Sequence, residues 1–138
     1  MSKDGVFRIA MLGTKYYSNV RLVKDTLFKL KQQYKDTPVK IIGAGGNVDI
    51  NKKIRNQSLE FGFDYVEYNP GYTGRNSYSG MPAQYYNKAY HPSHVSHSLT
   101  VLSRACDVMI IFKGEDSIGV CEIAQKEANK LKKKVVVL

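Results

Sequence analysis

Apolar positions along the chain switch repeatedly between two spacings. Short strand-like runs, most of them nearly continuous in apolar residues, fall at residues 7–12 (Phe-Arg-Ile-Ala-Met-Leu), 39–42 (Val-Lys-Ile-Ile) and 64–68 (Asp-Tyr-Val-Glu-Tyr). Two more fall at residues 107–112 (Asp-Val-Met-Ile-Ile-Phe) and 134–138 (Lys-Val-Val-Val-Leu). Continuous apolar runs of this length suit strands covered on both faces. Between them lie helical stripes. Val20, Val23, Leu27, Leu30 and Tyr34 are spaced 3, 4, 3, 4, with Ser18 or Asn19 able to cap them and Thr37-Pro38 to end them. Asp49 is expected to cap a second helix carrying Ile50, Ile54 and Phe61, with Gly62 as its stop. Val95, Leu99, Leu102 and Cys106 mark a third, and Val120, Ile123, Ala124, Ala128 and Leu131 a fourth.

Strands alternating with helices predict an α/β domain spanning residues 1–138, built on a parallel, doubly wound sheet of about five strands. Ligands of such sheets bind at the carboxyl ends of the strands, where strand order reverses. If the first and fourth strands are neighbours there, the loops at Gly13 and Gly114 share one crevice, bordered by the loop at Gly43. The alternation breaks once. Residues 69–92, before the fourth strand, hold three of the four prolines, three of the eleven glycines and five tyrosines: Tyr72, Tyr78, Tyr85, Tyr86 and Tyr90. An insert of this length is a lid, a binding loop or an assembly arm.

At 138 residues, 43% hydrophobic and 24% charged, the composition is that of an ordinary globular protein. No apolar run approaches the roughly 20 residues that span a bilayer, and the N-terminus lacks the pattern of a signal peptide. Cys106 and Cys121 both fall in apolar helical patterns and read as reduced core residues. The cytoplasm is the expected compartment. The net charge of +9 fits either an anionic ligand or lysine-coated helices. Lys24, Lys29, Lys31, Lys35, Lys126, Lys130 and residues 132–134 are spread over helix flanks without interleaved aromatics, so nucleic acid is not the favoured partner.

The candidate chemistry gathers in the loops. The segment from Asp107 through Gly114, Ser117 and Gly119 to Glu122 reads as a strand, a loop of small and polar residues and the first turn of a helix. Such a loop presents free N–H groups and the positive helix end to an anion. Gly43-Ala-Gly45-Gly46-Asn47 lets backbone approach a ligand closely, but matches neither the P-loop nor the full dinucleotide fingerprint. Glu122 can serve as nucleophile at an anomeric carbon, accept from ribose hydroxyls, or act as a favourable charge in a helix's first turn. His91, His94 and His97 are all of the histidines. No carboxylate accompanies them in sequence, so no metal or cofactor is expected, and His94 and His97 read as phosphate donors or surface residues. Arg75 and the tyrosines of the insert suit stacking on a base and pairing with a phosphate, or packing against a second copy of the chain.

Ile9-Ala-Met-Leu-Gly13-Thr14-Lys15, Gly43-Ala-Gly-Gly-Asn-Val-Asp49 and Asp107-Val-Met-Ile-Ile-Phe112 with Gly114 and Ser117-Ile-Gly119 resemble the loops of the SLOG superfamily, in particular its small YspA/cpYpsA-related members. The resemblance covers nearly the whole chain. It implies a Rossmann-like sheet, binding of nucleotides or nucleotide-derived signals such as ADP-ribose derivatives, and self-association, with some relatives cleaving nucleoside monophosphates. Two positions depart from the family. His97-Ser98 stands where members commonly carry Arg-Asn, and Gly119-Val-Cys-Glu122 does not reproduce the glutamate-bearing pattern of the phosphoribohydrolase branch. A shorter stretch, Asp116-Ser117 with Glu122-Ile123, is similar to nucleoside 2-deoxyribosyltransferases, in which that glutamate is the nucleophile. The expectation is therefore a homo-oligomeric binder of a nucleotide or nucleotide-derived molecule, with a counter-defence sponge as one form of it. Phosphate and ribose would lie on Gly13, Thr14, Lys15, Tyr16, Gly43, Gly45, Gly46, Asn47, Gly114, Ser117 and Gly119, under Arg75, His94 and His97. The alternative is an N-glycosidic-bond enzyme using Glu122.

Overall fold

The computed structural model describes residues 5–46, 48–114 and 119–138. In chain order they form β1 (Phe7–Gly13), α1 (Val20–Gln33), β2 (Val39–Gly43), α2 (Asp49–Glu60), β3 (Asp64–Glu67), a 3-10 turn (Ala83–Tyr85), α3 (Ser93–Ala105), β4 (Val108–Phe112), α4 (Cys121–Lys130) and β5 (Lys134–Val137). The strands make one five-stranded sheet, all parallel, in the order β3-β2-β1-β4-β5. This is the Rossmann-like, doubly wound arrangement, with β1 at the centre and the strand order reversing between β1 and β4.

The two-residue period of the strands divides the core between the faces. Ala10, Leu12, Ile42, Met109 and Ile111 pack with Leu99, Leu102, Cys121, Ala124 and Ala128 of α3 and α4. Ile9, Met11, Ile41, Ile110 and Phe112 pack with Val23, Leu27, Ile50 and Ile54 of α1 and α2. Both faces of β1 and β4 are therefore apolar, which explains why their runs show no polar alternation. Each fully buried Leu or Ile contributes about 1.5–3 kcal/mol. Cys106 and Cys121 are buried in the α3/α4 layer as free thiols. Among the described residues no helix is long and apolar enough to cross a membrane.

The helix ends show where side chains decide local structure. Asn19 caps α1, its side chain accepting from the Leu22 N–H at 3.2 Å. The cap expected of Asp49 is not formed. Val48 occupies the cap position without a side-chain bond, and Asp49 is the first helical residue, where its charge meets the positive helix end. After α2 the Phe63 N–H reaches the Ser58 carbonyl and the Gly62 N–H the Leu59 carbonyl, both at 3.0 Å. Gly62 supplies the left-handed turn, at φ 78. The end of α4 repeats the pair (Lys133 to Ala128 at 2.9 Å, Lys132 to Asn129 at 3.0 Å), but there the left-handed residue is Lys132, at φ 59.

The insert is bonded to the edge of the sheet and closed on itself at its base. Near its tip the Tyr78 carbonyl accepts from the Glu67 N–H, and the Gly80 N–H donates to the Glu67 carbonyl, both at 2.8 Å. These bonds cover the outer edge of β3. At its base the Lys88 N–H meets the Gly71 carbonyl at 2.9 Å and the Asn87 N–H the Thr73 carbonyl at 3.1 Å, while Tyr86 is buried.

Lys132 is exposed and strained, whereas Gly62 in the same motif is not. Lys132→Gly is expected to raise stability by about 1 kcal/mol, read as a higher urea midpoint at unchanged m-value.

Candidate functional site

The reversal point opens because β2 leaves the sheet early. Pairing of β1 with β2 ends at Met11 opposite Gly43, whereas pairing with β4 continues to Gly13 opposite Phe112. The Thr14 N–H still finds a sheet partner, the Phe112 carbonyl at 3.0 Å. The Gly13 N–H, on the β2 side, does not. A buried N–H must be satisfied, and here Asn51, in the first turn of α2, does it: its Oδ1 accepts from Gly13 at 3.1 Å and its Nδ2 donates to the Gly45 carbonyl at 3.3 Å. One carboxamide thus ties the loop after β1 to the loop after β2. On the other side Thr14 Oγ1 accepts from the Gly114 N–H at 3.1 Å, and Cys121 Sγ donates to the Gly13 carbonyl at 3.3 Å. Three loops converge on Gly13 and Thr14.

Between them lies a cavity of about 510 Å³. Backbone and a cation line part of it, at Gly13, Thr14, Lys15, Gly45, Gly46 and Gly119. Among the described residues the N–H groups of Lys15, Tyr16, Gly45 and Gly46 carry no hydrogen bond within the chain. Carbon lines the cavity as well, from Val48, Pro70, Tyr72, Val95, Leu99 and Val120, with the buried Ser98 hydroxyl committed to the Val95 carbonyl at 3.0 Å. Gly45, at φ 60, has no room for a side chain: a Cβ would lie 2.9 Å from both Glu67 Oε2 and Asn69 Cβ.

Below that loop sits a carboxylate the sequence did not single out. Glu67, 2% exposed at the end of β3, accepts from the Tyr65 hydroxyl at 2.9 Å, from Asn76 Nδ2 at 2.9 Å and from Asn69 Nδ2 at 3.3 Å. Arg55 Nη1 lies 3.7 Å away. Burial, and then the Glu67 charge and hydrogen bond, push the Tyr65 hydroxyl well above the ordinary tyrosine range, with Arg55 acting weakly the other way. The cluster fixes the root of the insert under the Gly45 loop.

Eight of the residues singled out from sequence meet at the cavity: Gly13, Thr14, Lys15, Tyr16, Gly45, Gly46, Tyr72 and Gly119. Gly43 stands one step back, against the Tyr65 hydroxyl, and Gly114 supports Thr14 from beneath. Arg75 is exposed on the insert, away from the cavity lining. His94 packs its ring on Tyr72 (centroids 6.2 Å apart) and His97 on Tyr85 (5.7 Å), so both brace the insert and neither lines the cavity. Glu122 is in the first turn of α4, its carboxylate half exposed and 3.1 Å from Lys126 Nζ. Asn47, Asp116 and Ser117 lie outside the described residues. Asn51 is a cavity residue that the motifs did not mark, and Ser98 one named only as a departure from the family's Arg-Asn pair. Their signal is a polar residue on a buried helical stripe: Asn51, Ile54 and Ser58 on α2, Ser98 and Leu102 on α3.

Compared with protein-family models, with curated proteins and with solved structures, the chain matches none.

Asn51→Leu keeps the volume but orphans the buried Gly13 N–H and frees the Gly45 loop. A loss of about 1–3 kcal/mol is expected in urea unfolding. The raised Tyr65 sets a second expectation. The unfolded chain releases this proton near pH 10.0 and the folded chain does not, so stability is full below that pH and falls as pH rises above it. Tyr17, Tyr68 and Tyr85, also raised by burial, act in the same direction. Tyr65→Phe is therefore expected to shallow the alkaline fall in unfolding midpoint without abolishing it.

Proposed function

We propose that the protein binds a nucleotide or a nucleotide-derived signalling molecule, of ADP-ribose or cyclic-nucleotide type, in this cavity, and holds it without turnover. The carrying observation is that unbonded loop N–H groups, Lys15 and carbon walls line one and the same cavity. Donors and a cation suit phosphate; apolar walls suit a flat base. The SLOG resemblance rests on the same loops, so it supports the same ligand class. Retention is favoured over cleavage of the glycosidic bond because the Glu122 carboxylate is directed to Lys126 on the outer side of α4, and Glu67 is fully occupied by its donors. Binding without turnover fits a sequestering role, and two free thiols suit a reducing cytoplasm. The tyrosine-rich insert suits self-association.

The test is to incubate the protein with nucleoside monophosphates, deoxynucleosides, NAD, ADP-ribose and cyclic ADP-ribose forms, remove free ligand, denature and weigh what is released. One ligand recovered intact is expected, with Glu122→Gln retaining it equally well. Free base that accumulates with time and disappears in Glu122→Gln would replace this reading with an N-glycosidic-bond enzyme.

A further inference from the structure

The mouth of the cavity carries two large apolar side chains that the fold does not bury. Tyr16, in the loop after β1, is 71% exposed, and Val120, just before α4, is 54% exposed. Both line the cavity. Their loops are neighbours, because β1 and β4 are paired and Thr14 is bonded to Gly114. Apolar area left in water at a cavity rim is stabilised once a ligand covers it. The residue next to Tyr16 adds a second feature: Lys15 Nζ lies 5.4 Å from the centre of the Tyr16 ring, within cation–π range. The ring face therefore has an occupant in the free protein. That occupant is the one charged side chain contributed to the cavity lining by the described residues.

We infer that Tyr16 and Val120 clamp the flat heteroaromatic ring of the ligand, and that Lys15 exchanges the Tyr16 ring for the ligand's phosphate on binding. This rests on the nucleotide reading above and adds to it the seat of the ring. The exchange couples the two halves of the ligand. A phosphate draws the ammonium off the tyrosine and frees the face on which the ring stacks. A nucleoside lacking phosphate has to displace the lysine without compensation, and a sugar phosphate lacking the ring leaves the rim in water. Such a site prefers the intact nucleotide over either part by more than the parts suggest. The competing seat for the ring is the inner carbon wall at Tyr72, Val95 and Leu99.

The probes are adenosine monophosphate, ADP-ribose and cyclic ADP-ribose, with adenosine and ribose 5-phosphate as the separate halves, titrated calorimetrically. For whichever nucleotide binds tightest, Tyr16→Ala is expected to weaken affinity about 5- to 150-fold, the range for losing one stacked base. Tyr16→Phe should retain it, and ribose 5-phosphate, which needs no seat for a ring, should bind Tyr16→Ala and Tyr16→Phe no more weakly than the wild type. Lys15→Met should weaken nucleotide binding and narrow its advantage over adenosine, which no longer has a lysine to displace. Both residues are exposed, so the unfolding midpoint should not move. Nucleotide binding unchanged in Tyr16→Ala but lost in Tyr72→Ala would overturn the clamp and seat the ring inside. Equal weakening of ribose 5-phosphate by Tyr16→Ala would reduce Tyr16 to a loop-shaping role and also overturn it. Should no nucleotide bind the wild type, the nucleotide reading falls and the clamp with it.

Discussion

The cavity depends on one hydrogen bond that the sheet cannot make. Beyond Met11 the central strand has no β2 partner, and the Gly13 N–H is left facing the interior. The Asn51 carboxamide satisfies it and, through its other end, holds the Gly45 carbonyl. The splay between β1 and β2 is therefore stable at a fixed width. Apolar side chains alone could not set that width, because they would close over the gap; a carboxamide with both ends bonded can only span it. Gly13 is close to Ile50 for the same reason, with no space for a Cβ between them. The first turn of α2 is in effect the floor of the site.

A second constraint comes from the buried carboxylate of Glu67. An ionised group 2% exposed persists only when its lone pairs are taken, and the partners come from four places: β3 itself, α2, and two points of the insert. Tyr65, Arg55, Asn69 and Asn76 meet there. The ring of Tyr78 adds contacts to Tyr65 (5.8 Å) and to Arg55 (5.9 Å). The insert is thus locked to the edge of the sheet, and Pro70 and Tyr72 become a wall of the cavity in place of a flap over it. Wall and floor share an element, since Arg55 and Asn51 both belong to α2.

The sequence by itself determined the scaffold. Runs such as residues 7–12 and 107–112 are apolar on both faces and can rest only in the middle of a covered sheet. The stripes of α1, α3 and α4 then specify the layers on either side. These are local, periodic signals, and the order of elements follows from them. The same reasoning located Gly13, Gly45 and Gly119, because small residues at strand ends mark where backbone must come close. What tertiary structure alone decided is which partners the polar residues take. Glu122 stands in a helix's first turn as expected, yet its carboxylate is paired with Lys126, while Glu67 and Asn51 carry the interior bonding. His94 and His97 meet tyrosines of the insert that are distant in sequence. Strand order, the early end of the β1–β2 pairing and the path of residues 69–92 set those partners. Each depends on contacts between residues far apart in the chain, which no local spacing encodes.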